Sequence, residues 1–155
     1  MTSPAHSCSP DASVVTAARI MWDYKVGALP VLDSAGHPIG MITDRDICMA
    51  AARKGRFAGE ISVRETMSAN PFTIRASDEL DKALDTMAAR QVRRLPVVNE
   101  DDRLVGIVSI NDAAAAAEKG WRDFQGRPEV FQHIVATLRR IATPSSTPGG
   151  TARES

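Results

Sequence analysis

Leu29-Pro30-Val31-Leu32-Asp33 returns 66 residues later (96 − 30) as Leu95-Pro96-Val97-Val98-Asn99. Gly40-Met41-Ile42-Thr43-Asp44-Arg45-Asp46 returns at the same offset as Gly106-Ile107-Val108-Ser109-Ile110-Asn111-Asp112. One offset holds both blocks with no gap, so the chain carries an internal repeat rather than one short motif matched by chance. Each copy is expected to bury its apolar face against the other, because a single unit is near the size where a core becomes marginal.

Outward from these blocks, each copy reads as strand, helix, strand, strand, helix. Phe72-Thr73-Ile74 is a short strand, and its counterpart around Ser7-Cys8 follows a poor match (Pro4-Ala5-His6 against Asn70-Pro71-Phe72), so the first copy's opening strand is expected to be ragged. Ser77 is the expected N-cap of the next helix, with Asp78 and Glu79 in its first turn; Asp11 is the expected cap in the first copy. Leu80, Ala83, Leu84 and Met87 fall on one helical face, as do Val14, Ala17, Ala18 and Met21, and read as core stripes. Strands follow at 28–33 and 94–99, where Pro30 and Pro96 suit a strand start or an edge and not a central ladder. The turns 34–37 and 100–103 lead into strands at 39–43 and 104–109, expected to pair back as hairpins. Second helices start near Asp46 and Asp112 and run to about Lys54 and Lys119.

The organisation expected is a first repeat with its linker over 1–60, a second over 61–119, a helical extension over 120–142 and a disordered tail over 143–155. Pro128 fits the first turn of the extension's helix, with Phe131, Ile134, Val135, Leu138 and Ile141 as its apolar face. Nineteen basic residues balance nineteen acidic ones, which argues against a nucleic-acid or anionic-membrane partner. No apolar run approaches the ~20 residues of a membrane helix and no signal peptide is evident, so the location expected is cytoplasmic. Cys8 and Cys48 show no metal-ligand spacing, and Cys48 reads as a small buried hydrophobe.

At this point the chain closely resembles the CBS domain family, named after cystathionine β-synthase, in its tandem arrangement, the Bateman module. The resemblance covers roughly residues 1–119 and rests on the Leu-Pro segment and on Gly-h-h-Thr/Ser-x-x-Asp (h apolar), each present twice. It implies an α+β chain of two β-α-β-β-α repeats packed about a pseudo-twofold axis, leaving two clefts that take adenosine ligands such as AMP, ADP, ATP or S-adenosylmethionine. By that resemblance Asp46 and Asp112 accept hydrogen bonds from ribose hydroxyls, while Thr43 and Ser109 offer hydroxyls to phosphate at a strand end leading into a helix. A helix start favours an anion on independent grounds. Val26, Ala28, Leu29 and Pro30, with Val92, Arg93, Arg94, Leu95 and Pro96, line the adenine side, and Ser7-Cys8 and Thr73-Ile74 form the opposite wall. Arg45, Arg93 and Arg94 are candidate phosphate partners, and Asn111 stands where the first copy has Arg45.

A plainer reading stands beside each role. The two aspartates are also suited to capping their helices, and Thr43 and Ser109 to bonding within their own turns. The copies differ where it matters: Gly27-Ala28 becomes Arg93-Arg94 and Asp44-Arg45 becomes Ile110-Asn111. Asp44 repels phosphate and the arginines attract it, so the Asp112 side is expected to favour charged ligands. No nucleophile–base motif, P-loop or metal cage is present in the sequence, and an enzyme is not expected. No resident cofactor is implied, and Mg²⁺ enters only as a companion of ATP. The reading is a freestanding pair that binds an adenine nucleotide and signals in trans to a protein target, as a homodimer. Its rival is a protein-interaction or stress-response module with vestigial clefts.

Overall fold

A computed structural model of the chain describes residues 5–123 and 128–143. In chain order its elements are α1 (Val14–Tyr24), β1 (Ala28–Leu32), β2 (Pro38–Thr43), α2 (Asp44–Arg53), a 3₁₀ turn (Ala58–Glu60), β3 (Ser68–Ala69), β4 (Ile74–Arg75), α3 (Leu80–Arg90), β5 (Arg94–Val98), β6 (Leu104–Ser109), α4 (Ile110–Asp123) and α5 (Pro128–Ala142). Of the tail expected over 143–155, residues 144–155 lie outside the described residues. None of the described helices is long and apolar enough to cross a membrane.

The 66-residue offset survives into the hydrogen-bond register. The first hairpin pairs Ala28 with Thr43 and Leu29 with Ile42; the second pairs Arg94 with Ser109 and Leu95 with Val108. Both carry an irregularity at the same place, Val31/Leu32 and Val97/Val98. The turns are built alike, since the Asp33 side chain accepts from the N–H groups of Ala35 and His37, and that of Asn99 from Asp101 and Arg103. These Asx turns fix the hairpin from local sequence alone.

The opening strand of the first copy is reduced to a single parallel bridge, Cys8 to Val31, where the second copy has β4 parallel to β5. Pro96 departs from expectation: β5 is the middle strand of β4-β5-β6, and Pro96 is paired with Ile107 inside it. The ladder to β4 begins only at Val97, so the missing proline N–H falls just short of the pairing. Pro30 shows the same economy. Its carbonyl accepts from Cys8 N–H, and the next donor on that side is Leu32.

Helix starts are set by different residues from those expected. Ser13, not Asp11, caps α1 by accepting from Thr16 N–H. Glu79 occupies the N-cap position of α3 without a side-chain bond. Asp78 is spent on the preceding turn, where it accepts from Arg75 N–H and pairs with Lys82.

Apolar burial also departs from expectation, because it falls into two clusters, one per copy, rather than one shared seam. The first gathers Val14, Ala17, Met21, Leu29, Val31 and Ile42, and it is closed by Ile61 and Val63. The second gathers Ala83, Leu84, Met87, Leu95, Val97 and Val108, and it is closed by α5 through Ile134. Each copy is therefore lidded by the segment that follows it. Residues 61–69, which the offset assigns to the second copy, pack on the first, and β3 extends its sheet beside β2.

The buried face of α5 is rotated from the expected one. Ile134 and Thr137 are buried and Val130 and Ile141 partly so, whereas Leu138 is exposed. The rotation follows from docking against α3, where the His133 ring meets Asp81 at 3.1 Å and Asp85 at 3.0 Å. The side chain of Phe131 lies outside what is described. Cys48, read as a small buried hydrophobe, is instead exposed on α2, while Cys8 is buried, with its thiol pushed up to about 11 by burial.

Candidate functional site

The junction of β2 with α2, and of β6 with α4, is a capping box in both copies. Thr43 N–H and Oγ1 donate to Asp46 Oδ2 at 2.9 and 2.7 Å, and Asp46 N–H donates back to Thr43 Oγ1 at 3.2 Å. Ser109 N–H and Oγ donate to Asp112 Oδ2 at 2.8 and 2.6 Å, with the return bond again 3.2 Å. Each box satisfies orphan donors of the helix start reciprocally. A hydroxyl has one O–H to give, and in both copies it goes to the neighbouring aspartate. Bonding within their own turns, the plainer reading of Thr43 and Ser109, is thus present in both copies. A carboxylate offers about four acceptor sites, and the two Ser109 bonds converge on one oxygen of Asp112.

Burial, the largest influence on Asp112, raises its carboxyl, while hydrogen bonds from the Ser109 hydroxyl and N–H pull the other way; the net position is below the ordinary value. Asp112 is thus an anion at neutral pH, held at a helix start.

A cleft of about 200 Å³ runs between the copies beside this box. One wall is Val26, Gly27 and Ala28, leading into β1. The other is Ile107, Ser109 and Asp112 at the end of β6, with Arg94 of β5. The site therefore crosses the repeat, joining the apolar segment of the first copy to the carboxylate of the second. Arg94 reaches toward the first copy, its Nη2 lying 3.7 Å from where a Gly27 side chain would begin. Lys25, Ala5 and His6 complete the lining.

Lys25 and His6 were not legible as site residues. Lys25 terminates α1 in a left-handed conformation (φ 53°), as Gln91 terminates α3 (φ 55°), and this turn sets the lysine at the cleft. His6 arrives there by stacking on Tyr24, ring centroids 3.4 Å apart and planes 16° apart. The paired left-handed positions at the same offset are the one trace of this in the chain.

The remaining expected residues are placed elsewhere. Leu29 and Leu95 are core residues with essentially no exposure, and Pro30 and Pro96 are equally buried, so their side chains do not face the cleft. Ile74 is in the second core, and Thr73 is exposed. Thr43, Arg45, Asp46, Val92, Arg93 and Asn111 are not among the residues lining this cleft. Asp46 lines a shallow groove on α2 with Met49, Arg53 and Glu65. Among the described residues no group of three or more His, Cys, Asp or Glu side chains is arranged to hold a metal.

The family model for the CBS domain matches residues 1–53 and 58–119. The chain is 39% identical over 114 residues to the CBS domain-containing protein YhcV of Bacillus subtilis, covering 74% of this chain and 79% of that one. Its fold is similar to the CBS domain pair of protein MJ0100 in complex with 5′-methylthioadenosine and S-adenosyl-L-methionine (TM-score 0.69, 26% identity, 77% of this chain and 92% of that one). It is also similar to CBSX2 of Arabidopsis thaliana in complex with AMP (TM-score 0.63, 28% identity, 75% and 89%).

Proposed function

This chain belongs to the CBS domain family, and from that premise we propose that it is a regulatory pair binding an adenosine-containing ligand of the AMP, ADP or ATP class in the cleft between Val26–Ala28 and Ser109–Asp112. One observation carries the reading: a single cleft holds an apolar edge, an anionic carboxylate and two cations, drawn from both copies. A purine fits against Val26 and Ala28 and beside the His6 ring, a ribose diol donates to Asp112, and phosphate lies toward Lys25 and Arg94. The cleft's volume of about 200 Å³ is below the roughly 300–1,000 Å³ of drug-sized sites. It suits a nucleoside with its phosphate at the mouth. The adenosine ligands held by the MJ0100 pair and by CBSX2 support the same class.

A ligand that touches both copies favours whichever mutual arrangement closes on it, and so shifts a population rather than driving a reaction. The output acts in trans on a protein target or through a homodimer contact. Thermal-shift titration with AMP, ADP, ATP, NAD and S-adenosylmethionine tests the reading. At ~100-fold over its dissociation constant a ligand adds roughly 2.7 kcal/mol, a clear rise in melting temperature. Absence of a shift with all five sinks the proposal.

A further inference from the structure

Asp44 and Ile110 hold the same place in the repeat, as the first residue of α2 and of α4. Their backbones are tied alike, since Asp44 N–H donates to Gly27 C=O at 3.3 Å and Ile110 N–H to Arg93 C=O at 3.0 Å. Their side chains part company. Ile110 is buried in the second core, whereas Asp44 is exposed, with its Oδ1 accepting from Arg45 N–H at 2.7 Å. Its Oδ2 faces the seam between the copies, 3.2 Å from where a side chain on Gly27 would begin, and Arg94 Nη2 lies 3.7 Å from the same point. Glycine at 27 therefore keeps open a gap with a carboxylate of the first copy on one side and a guanidinium of the second on the other. The second copy fills the equivalent position with Arg93.

Neither Asp44 nor Arg94 belongs to an ion pair among the described residues. Lys25 lines the same cleft and carries the same sign as Arg94. Asp112 is the cleft's own anion, and the Ser109 N–H and hydroxyl converge on its Oδ2. Arg45 and Arg93, next to the two residues in sequence, are exposed cations. By charge, the sequence sets Asp44 against phosphate and Arg94 for it; the structure places them at one spot, on either side of Gly27.

We propose that Asp44 is a specificity-determining residue of this cleft, which competes with a ligand's phosphate for Arg94. A phosphorylated adenosine ligand then has to draw the guanidinium off an attraction between the copies, and a neutral nucleoside leaves that attraction in place. The inference rests on the adenosine reading of the cleft. Opposite charges flanking one glycine attract, and at exposed positions the attraction is modest. Transfer of Arg94 from the Asp44 side to phosphate is a change made at the seam, where a ligand's charge can be passed to the angle between the copies. Adenosine reaches the apolar edge and Asp112 without calling on Arg94.

The test is isothermal titration of the full chain with AMP, ADP, ATP and adenosine, on wild type, Asp44→Asn, Arg94→Gln and the double variant. Both positions are exposed, and melts without nucleotide confirm that the variants fold. Asp112 is intact in every arm, so the comparison isolates Asp44. The proposal expects Asp44→Asn to bind the tightest of the three nucleotides about two- to fivefold more tightly than wild type, the strength of an exposed ion pair. It expects no gain for adenosine, and none in the Arg94→Gln background. Unchanged or weaker nucleotide binding in Asp44→Asn overturns it. So does a gain shared by adenosine or kept in the Arg94→Gln background. A wild type that binds none of the three nucleotides is a separate failure, which removes the adenosine reading and this inference with it.

Discussion

Asp46 and Asp112 occupy the same place in the repeat and make the same capping box, yet only Asp112 lines the inter-copy cleft. Replacing each by alanine therefore separates the structural role from the binding role. The three bonds of the two boxes differ by no more than 0.1 Å (2.9, 2.7 and 3.2 against 2.8, 2.6 and 3.2 Å). Loss of a cap costs about 1 kcal/mol, so both variants should lose similar stability. For a chain of this size that is a drop of about 2–4 °C, measured without nucleotide by denaturant and thermal melts. Binding should divide them. A hydrogen bond to a charged group contributes about 1.5–3 kcal/mol, so Asp112→Ala should weaken the tightest adenosine ligand roughly ten- to a hundredfold. Asp46→Ala should leave the affinity of that site within about twofold of wild type, once the stability change is allowed for. Isothermal titration with the ligand selected by thermal shift reads both. Full affinity in Asp112→Ala, or loss confined to Asp46→Ala, would refute the assignment of the cleft.

Three further outcomes follow from named contacts. Burial lowers the His133 ring, but the Asp81 and Asp85 carboxylates outweigh it and hold its pKa above the ordinary 6.5. The docking they provide is then fully present below pH 6.5 and lost as pH rises through the raised value. Amide exchange in α5 should accelerate over that window, and Asp81→Asn with Asp85→Asn should flatten the dependence. Glu65 is held at about 2, against 4.5, first by Ser62 N–H and then by Lys54 and Arg56. Its contribution is present above pH 4.5 and disappears as pH falls toward 2, so Glu65→Gln should remove that part of the acid transition in a pH-melt series. Thr137 is buried on α5, and its Oγ1 has no hydrogen-bond partner among the described residues. Thr137→Val should raise stability by about 1 kcal/mol or more, and an unchanged or lower melting temperature would show that the hydroxyl is satisfied.

The repeat made the element order legible because identical local sequence writes identical local bonds. The Asx turns at Asp33 and Asn99 need nothing beyond five consecutive residues, and the boxes at Thr43 and Ser109 nothing beyond four. Helix starts were harder to read, since several residues compete for one cap. Ser77 was the expected cap of α3, but the helix begins at Leu80 with Glu79 at the N-cap position, because Asp78 is held in the preceding turn by the Arg75 N–H. The α5 face was rotated for a tertiary reason. A stripe through Val135 and Leu138 is more apolar than one through Thr137, yet the His133 clamp on Asp81 and Asp85 decides which side meets α3.

The site was legible as a set of residue types in clefts between the copies, but not as the crossing that joins Val26–Ala28 of the first copy to Ser109 and Asp112 of the second. A sequence scan reads Val26–Ala28 and Asp46 within one repeat and naturally groups them. The two hairpins instead sit so that Leu104 N–H donates to Gly36 C=O across the copies at 3.1 Å. The apolar edge of the first copy then faces the carboxylate of the second. That crossing is also what makes the pair more than two half-units. Each copy has its own closed apolar cluster, so burial does not fix their mutual angle as strongly as a common core would. Polar contacts at the seam are individually modest, and a ligand bonded to both walls adds a comparable amount. It is therefore large enough to bias the angle between the copies, which a ligand confined to one copy would leave unchanged.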